Sequence, residues 1–250
     1  MRPHSSGFSL LGALLVSAGW MASIGCRHIP GRPGPGPEVV RPEEVLAFPV
    51  LYQQNCAACH GDHGKSGAAI PLANPVYLAV AGEEHLRDTI AKGVPGKLMP
   101  PFAKTSGGML TDQQVTILAQ GILRDWSTPN LLAGQNPPAY RSTLTGDPGR
   151  GQQTFKAFCA RCHGAAGEGP TSEAKDNASK LGSIVDPSYL ALISDQNLRS
   201  ITIAGRPDEG MPDWRSDGIQ PLTDQQITDI ITWLASKRTA DPGQPYATHP

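Results

Sequence analysis

The 250-residue sequence has no charge bias, because 21 lysines and arginines stand against 22 aspartates and glutamates. Without a basic excess it lacks the footprint of a nucleic-acid-binding protein, and without an acidic excess it lacks the signature of a disordered, solvating chain. Aromatic residues are also scarce, at 6%. No long segment alternates between polar and apolar residues as a half-buried strand does, so the expected fold class is all-α.

Glycine and proline are abundant by contrast, with 28 and 24 residues. This composition favours short helices joined by long loops, and with so few aromatic side chains such loops are expected to wrap something other than protein. The length permits one large domain or two small ones, each with its own core.

A long apolar run occurs at the N-terminus. Residues 8–24, FSLLGALLVSAGWMASI, have the size of a signal-peptide core, and SIGC at the end of the run resembles a bacterial lipobox in which Ser23 replaces the usual leucine. We therefore expect residues 1–25 to be a signal peptide and Cys26 to carry lipid. An uncleaved anchor helix is the alternative.

Both interpretations export the rest of the chain and attach it to a membrane. Residues 26–43 are rich in proline and glycine and are expected to form an extended tether. The expected localisation is periplasmic or otherwise extracytoplasmic, with a membrane anchor. In such an oxidising compartment exposed thiol pairs become disulfides, and structural zinc sites are less expected.

The other four cysteines form two copies of the motif Cys-x-x-Cys-His. The motif can bind zinc, form a redox disulfide or hold a haem. On a helix it puts both thiols on one side beside the imidazole, so the thiols can bond to the haem vinyl groups while the histidine reaches the iron. Export to an oxidising compartment makes a zinc site and an unmodified dithiol less expected than a haem. The sequence therefore predicts two covalently bound haem c groups, held by Cys56, Cys59 and His60 and by Cys159, Cys162 and His163.

The two motifs belong to an internal duplication. They lie 103 residues apart, whereas further along the offset is 112, as between LTDQQ at 110–114 and LTDQQ at 222–226. The nine-residue difference is expected to be a surface loop inserted in the second half, between His163 and Asp186. Both halves are therefore expected to share one fold.

This register selects the second iron ligand. Met99 aligns with Met211, and both stand in glycine-rich loops before a proline, whereas Met109 aligns with Pro221. A gap-filling core position is the commoner role of methionine, but these irregular loops are poor places for a core stripe. We predict that Met99 and Met211 are iron ligands.

Each half is expected to contain three helices. The first helix leads into the cysteine motif and starts at about Glu44 in the first half and Arg150 in the second. The middle helix covers about 83–92 and 195–204. The last helix begins with a capping box, at Thr111 and at Thr223.

The first and last helices of each half are expected to touch. Phe48 aligns with Gly151 on the first helix, and Gly121 aligns with Trp233 on the last. Each half thus pairs one large residue with one small residue, which conserves volume at a helix crossing.

Composition and repeat together divide the chain into six segments. They are the signal peptide 1–25, the tether 26–43, a first domain 44–126, a linker 127–148, a second domain 149–239 and a tail 240–250.

Each half resembles a class I cytochrome c domain in its motif, the glycine that follows it, the Met-Pro loop and the LTDQQ helix, although Phe48 stands where that family often has glycine. The whole resembles a tandem dihaem cytochrome c. The resemblance implies about three core helices around a covalent haem c in each domain. Pro71 and Pro170 lie in the loops after the haem histidines, where a backbone carbonyl of this family commonly orients the imidazole; because the loops differ in length, which proline does so stays open. Arg87 and Arg199 are expected either to meet haem propionates or to lie on a helix surface.

Histidine and methionine together saturate the iron, which is typical of an electron carrier and not of an enzyme. The expected function is a dihaem c-type cytochrome that transfers electrons between respiratory-chain partners at the membrane surface, as a shuttle or complex subunit. The resemblance implies redox partners such as a quinol-oxidising complex, a terminal oxidase or a periplasmic dehydrogenase. The alternative is a haem enzyme like a dihaem peroxidase, which needs a displaceable sixth ligand.

Overall fold

The computed structural model describes residues 40–169, 182–215 and 220–239. Regular structure in these ranges is helical, and extended pairing there is limited to isolated bridges between Ala103 and Leu110 and between Arg206 and Met211. The expected all-α class is confirmed. The predicted signal peptide, Cys26, most of the tether, the tail and part of the predicted insertion lie outside the described residues.

Nine α-helices occur in the described residues. In the first half they are α1 (Phe48–Asn55), α2 (Ala57–His60), α3 (Pro75–Lys92) and α4 (Asp112–Trp126). In the second half they are α5 (Pro148–Phe158), α6 (Ala160–His163), α7 (Pro187–Leu192), α8 (Asp195–Ala204) and α9 (Asp224–Ala235). Short 3-10 turns occupy Pro42–Glu44, Asp62–Gly64, Lys104–Ser106 and Pro207–Glu209. Within this described part of the chain, no helix is both long and apolar enough to cross a membrane.

The expected starts of the two entry helices are wrong by a few residues. The first, α1, begins at Phe48 and not at Glu44, with a proline in its first turn. The second, α5, begins at Pro148 and not at Arg150, because the carboxylate of Asp147 caps its first turn. In both cases proline sits where its missing N–H costs no helical hydrogen bond.

The middle helix of the second half has the predicted bounds, whereas that of the first half is longer than predicted. Helix α8 covers the predicted range. Helix α3 starts eight residues earlier than expected and bends at Gly82, whose φ is 70°. The earlier segment corresponds to α7. The side chains of Asn74 and Asp186 cap these segments, and proline follows each of them.

The predicted capping boxes are present at both last helices. In α4 the Thr111 hydroxyl accepts the Gln114 N–H at 3.2 Å, while the Gln114 side chain accepts the Thr111 N–H at 2.9 Å. Thr223 and Gln226 make the same pair of bonds in α9. Each box satisfies backbone donors that a helix start leaves unpaired.

The predicted contact between first and last helices is confirmed in both halves. A Cβ built on Gly121 would lie 2.2 Å from Cδ2 of Phe48, and one built on Gly151 would lie 2.9 Å from Cβ of Trp233 and 2.0 Å from the carbonyl oxygen of Asp229. The glycine in each pair is therefore what allows the helices to approach. This crossing organises the core of each half.

The linker, residues 127–148, contacts both halves. The ring of Tyr140 lies 4.5 Å from the ring of His85, a first-half residue that is only half-buried and whose Nδ1 lies 2.8 Å from the Ala81 carbonyl. The Tyr140 carbonyl accepts hydrogen bonds from Gln196 and Arg199 of the second half.

The two aligned arginines have different environments. Arg199 is buried and binds the linker carbonyl of Ala139 at 2.7 Å together with the carboxylate of Asp224. Arg87 is exposed. Arg87 therefore lies on the helix surface, which is one of the two expected alternatives. Arg199 fits neither alternative as stated, because it is buried and binds the linker.

Candidate functional site

The two cysteine motifs fold in the same way. In the first half α1 ends at Asn55, the chain bends at Cys56, and the single turn α2 carries the rest of the motif to His60. The N–H of His60 donates to the Cys56 carbonyl at 2.9 Å. In the second half α5 and α6 repeat this arrangement, and the N–H of His163 donates to the Cys159 carbonyl at 3.0 Å. Each turn thus carries both thiols and the imidazole on five consecutive residues.

The glycine after each motif is required by the backbone. Gly61 and Gly164 have φ values of 79° and 78°, in the left-handed region that favours glycine. A Cβ on Gly61 would lie 1.7 Å from the Lys65 carbonyl oxygen, and one on Gly164 would lie 2.4 Å from that of Gly169. The loop that follows the motif therefore folds directly back onto it.

The first cysteine of each motif is half-buried and the second is exposed. Burial, with the nearby Cys59 adding to it, raises the pKa of Cys56 to about 12. Burial and the nearby Cys162 raise the pKa of Cys159 to about 11. A raised pKa disfavours the reactive thiolate on which a redox dithiol depends.

The first histidine is oriented by a backbone carbonyl. Nδ1 of His60 lies 2.8 Å from the carbonyl oxygen of Ile70. Burial lowers the pKa of His60, and this hydrogen bond partly offsets the shift. An Nδ1–H that donates to Ile70 leaves Nε2 with a lone pair for a metal. The acceptor is thus Ile70, the residue before the candidate Pro71, and not the proline itself.

The second histidine is placed alike, but its Nδ1 has no partner among the described residues, although it is buried. Burial lowers the pKa of His163 as well. The implied acceptor near Pro170 lies outside the described residues.

The two predicted methionine ligands stand in loops that return to the end of a middle helix. The N–H of Val94 donates to the Met99 carbonyl at 2.9 Å. Arg206 and Met211 exchange two backbone hydrogen bonds, each of 3.0 Å. Met99 and Met211 are half-buried, whereas 82% of Met109 is exposed.

A glycine lets each methionine loop approach its helix. Gly93 and Gly205 end α3 and α8 with φ values of 66° and 67°. A Cβ on Gly93 would lie 2.5 Å from the carbonyl carbon of Pro100, and one on Gly205 would lie 2.5 Å from the Met211 carbonyl oxygen. The two Met-Pro loops are therefore fixed by the same device.

These groups fit a haem c in each half. Two cysteine sulfurs can form thioethers, an imidazole offers Nε2, and a half-buried methionine offers a thioether sulfur. Three other buried nitrogen atoms of the second half have no partner in the described residues, namely Arg206 Nε, Trp214 Nε1 and Trp233 Nε1, which is compatible with a further group bound there.

The family model described as cytochrome C oxidase, cbb3-type, subunit III matches residues 44–120 and 146–234. Each matched range contains one Cys-x-x-Cys-His motif and its Met-Pro loop. The chain belongs to this family. Membership confirms the expectation of two cytochrome c folds with two covalent haem c groups.

Curated relatives agree with the family. The chain is 31% identical over 153 residues to the cbb3-type cytochrome c oxidase subunit FixP of Sinorhizobium medicae, which covers 51% of this chain and 45% of that protein. It is 26% identical over 155 residues to subunit CcoP of Azospirillum sp., which covers 56% and 47%. The chain thus spans about half the length of these relatives.

A solved structure is similar over most of the chain. It is part of the reducing HAO-like protein complex of Kuenenia stuttgartiensis, with 19% identity, 81% of this chain and 99% of that chain covered, and a TM-score of 0.46.

Proposed function

We propose that this protein carries single electrons between respiratory-chain partners at a membrane surface and has no substrate site at iron. The observation that supports this most directly is the complete and duplicated ligand set, two cysteines, one histidine and one looped methionine in each half. When bound, the haem supplies reversible one-electron chemistry, and with both axial positions filled the iron offers no open site.

In the first half, Cys56 and Cys59 would form the thioethers, and His60 and Met99 would ligate the iron. The Ile70 carbonyl fixes the orientation of the His60 ring. Such an outer partner fixes the tautomer and strengthens the ligand.

In the second half the same roles fall to Cys159 and Cys162 for the thioethers, and to His163 and Met211 for the iron. The Met211 loop is held by its paired backbone bonds to Arg206. A loop held in this way moves little between oxidation states, which favours fast electron exchange.

The partners would be redox proteins, namely a quinol-oxidising complex, a terminal oxidase or a periplasmic dehydrogenase. The relatives' names favour a terminal oxidase, since they are subunits of cbb3-type cytochrome c oxidases. The net charge of −1 gives no strong steering field, so attachment to a complex or membrane suits this chain better than long-range electrostatic attraction.

We also propose the sequence-based arrangement around the two domains. Residues 1–25 would direct export to the periplasm, Cys26 would carry lipid, and 26–43 would tether the domains 44–126 and 149–239 to the membrane. Labelling with a radioactive fatty acid should mark the wild-type protein and not Cys26→Ala. Membrane-bound wild-type protein without the label would favour an uncleaved anchor helix.

Haem stoichiometry tests the proposed site residues. A pyridine haemochrome assay should give two covalent haems per chain in a host able to attach haem c. Replacing Cys56 and Cys59 by serine should leave one haem, and replacing Cys159 and Cys162 should do the same. Colourless wild-type protein from such a host would contradict the proposal.

A further inference from the structure

The two halves meet where the first begins its long helix and the second ends its middle helix. Asn74, the cap of α3, is buried, with 4% of its surface exposed. Its Nδ2 donates to the carbonyl oxygens of Ala204 and Gly205, at 2.9 and 3.1 Å. Its Oδ1 accepts the N–H groups of Val76 and Tyr77. One amide side chain thus caps its own helix and binds the other half.

On the side of the first half, Asn74 is joined to the loop that orients a haem ligand. The N–H of Asn74 donates to the Pro71 carbonyl at 3.3 Å. Pro71 directly follows Ile70, whose carbonyl binds Nδ1 of His60. Only two residues, Pro71 and Ile70, and two hydrogen bonds therefore separate the Asn74 backbone from the His60 ring.

On the side of the second half, Asn74 binds the start of a methionine loop. Gly205 directly precedes Arg206, which exchanges two backbone hydrogen bonds with Met211. A second contact reinforces the first, because the Arg206 guanidinium donates to the Gly67 carbonyl of the first half at 3.4 Å. The interface thus joins the histidine loop of one site to the methionine loop of the other.

The duplicated cap shows that this use of the amide is specific to the first half. Asp186 stands at the equivalent position, is exposed, and caps α7 by accepting the N–H groups of Ser188 and Tyr189. An ionised carboxylate can only accept hydrogen bonds. Either asparagine or aspartate can cap a helix, but only the amide of Asn74 can also donate hydrogen bonds to two carbonyl oxygens.

Building on the proposed function, we propose that Asn74 is a positioning residue for electron exchange between the two haem sites. It holds the first histidine loop against the second methionine loop, so that a continuous path of covalent and hydrogen bonds runs from His60 through Asn74 and Gly205 to Met211. In the exchange one electron leaves one site and enters the other, with no proton moved and no bond broken.

The test compares full-length, haem-loaded wild type with Asn74→Asp and with the reciprocal control Asp186→Asn. Asn74→Asp keeps the oxygens that cap α3, removes the donor, and sets a carboxylate against two carbonyl oxygens. We expect electron equilibration between the sites, followed after rapid partial reduction, to be several-fold slower. We also expect the thermal unfolding midpoint to fall by about 4 °C or more. Asp186→Asn should match wild type in both measurements, because asparagine caps a helix as well as aspartate does.

A wild-type equilibration rate in Asn74→Asp would overturn the positioning role, even if its midpoint fell. Equal slowing in both variants would overturn it as well, since capping alone would then explain the effect. If Asn74→Asp does not fold, Asn74→Ser keeps a capping oxygen without adding charge and should show the same slowing. Failure of the proposed function is distinguishable, because it would show in the wild type itself, as missing covalent haem or as rapid carbon monoxide binding to the reduced protein.

Discussion

At the scale of single residues, the structure explains how the proposed ligand His60 is oriented. His60 is held by the carbonyl of Ile70, so its ring has one orientation and one tautomer suited to iron. The sequence predicts the ligand itself, because the motif is local. It does not predict Ile70, because the loops after the two histidines differ in length and a backbone acceptor leaves no mark on residue type.

Met99 and Met109 give a matched test of ligation. Met99→Ala removes the proposed sixth ligand, so the ferric protein should lose about half of its methionine–iron absorption, and the reduced first site should bind carbon monoxide. Met109→Ala, at an exposed position, should keep the wild-type spectrum. The assignment would be wrong if Met109→Ala produced these changes and Met99→Ala did not.

A buried carboxylate gives the second half a pH dependence. Burial raises the pKa of Asp229, but hydrogen bonds from Arg150, the Asp147 N–H and Gln225 outweigh it and hold the pKa below its usual value. A lowered pKa of this kind adds stability above the unfolded-state value of about 4, and that stability is lost as pH falls through the folded-state value.

Asp229→Asn should therefore lower the free energy of unfolding by about 1–3 kcal/mol at neutral pH. The difference from wild type should narrow below a pH of about 4. Denaturant unfolding across pH measures this, and Asp125→Asn, in an exposed pair with Arg124, is the control that should change little. A difference independent of pH would show that Asp229 acts by packing alone.

At the scale of elements, side-chain volume determines how closely the first and last helices cross, and the internal repeat predicts this crossing. Large Phe48 against small Gly121, and small Gly151 against large Trp233, exchange volume between the two helices. The sequence also predicts the capping boxes, since both partners lie within four residues. The prediction of α3 begins too late, although Asn74 followed by proline is a known start signal.

The crossing predicts strong coupling between Phe48 and Gly121. Gly121→Trp alone should destabilise the first half by about 1–3 kcal/mol through overpacking, and Phe48→Gly alone by about 3–5 kcal/mol through a cavity. The double exchange copies the second half and should cost less than the sum of the two. Chemical denaturation of all three variants tests this, and strictly additive losses would contradict the contact.

At the scale of the whole molecule, the linker and the interface fasten two similar units. The sequence predicted the two units through the repeat. It did not predict that Asn74 binds Gly205 or that Arg199 binds Ala139, because such bonds join residues 131 and 60 positions apart. Nothing in the local pattern distinguishes buried Arg199 from its exposed counterpart Arg87.

Arg199 and Arg87 therefore form a matched pair for testing the linker. Arg199→Lys retains the charge but cannot reproduce the planar set of bonds to Ala139, Tyr140 and Asp224. Limited proteolysis should cut residues 127–148 faster in this variant. Arg87→Lys should be cut at the wild-type rate, and equal rates in both variants would refute the fastening role.

The central claim is that both haem sites are six-coordinate electron carriers. A reductive titration of the purified protein, followed by exposure of the reduced protein to carbon monoxide, tests this most directly. We predict uptake of two electrons per chain and no rapid binding of carbon monoxide at either site. Uptake of fewer electrons, or rapid stoichiometric carbon monoxide binding at one site, would contradict it and favour a haem enzyme.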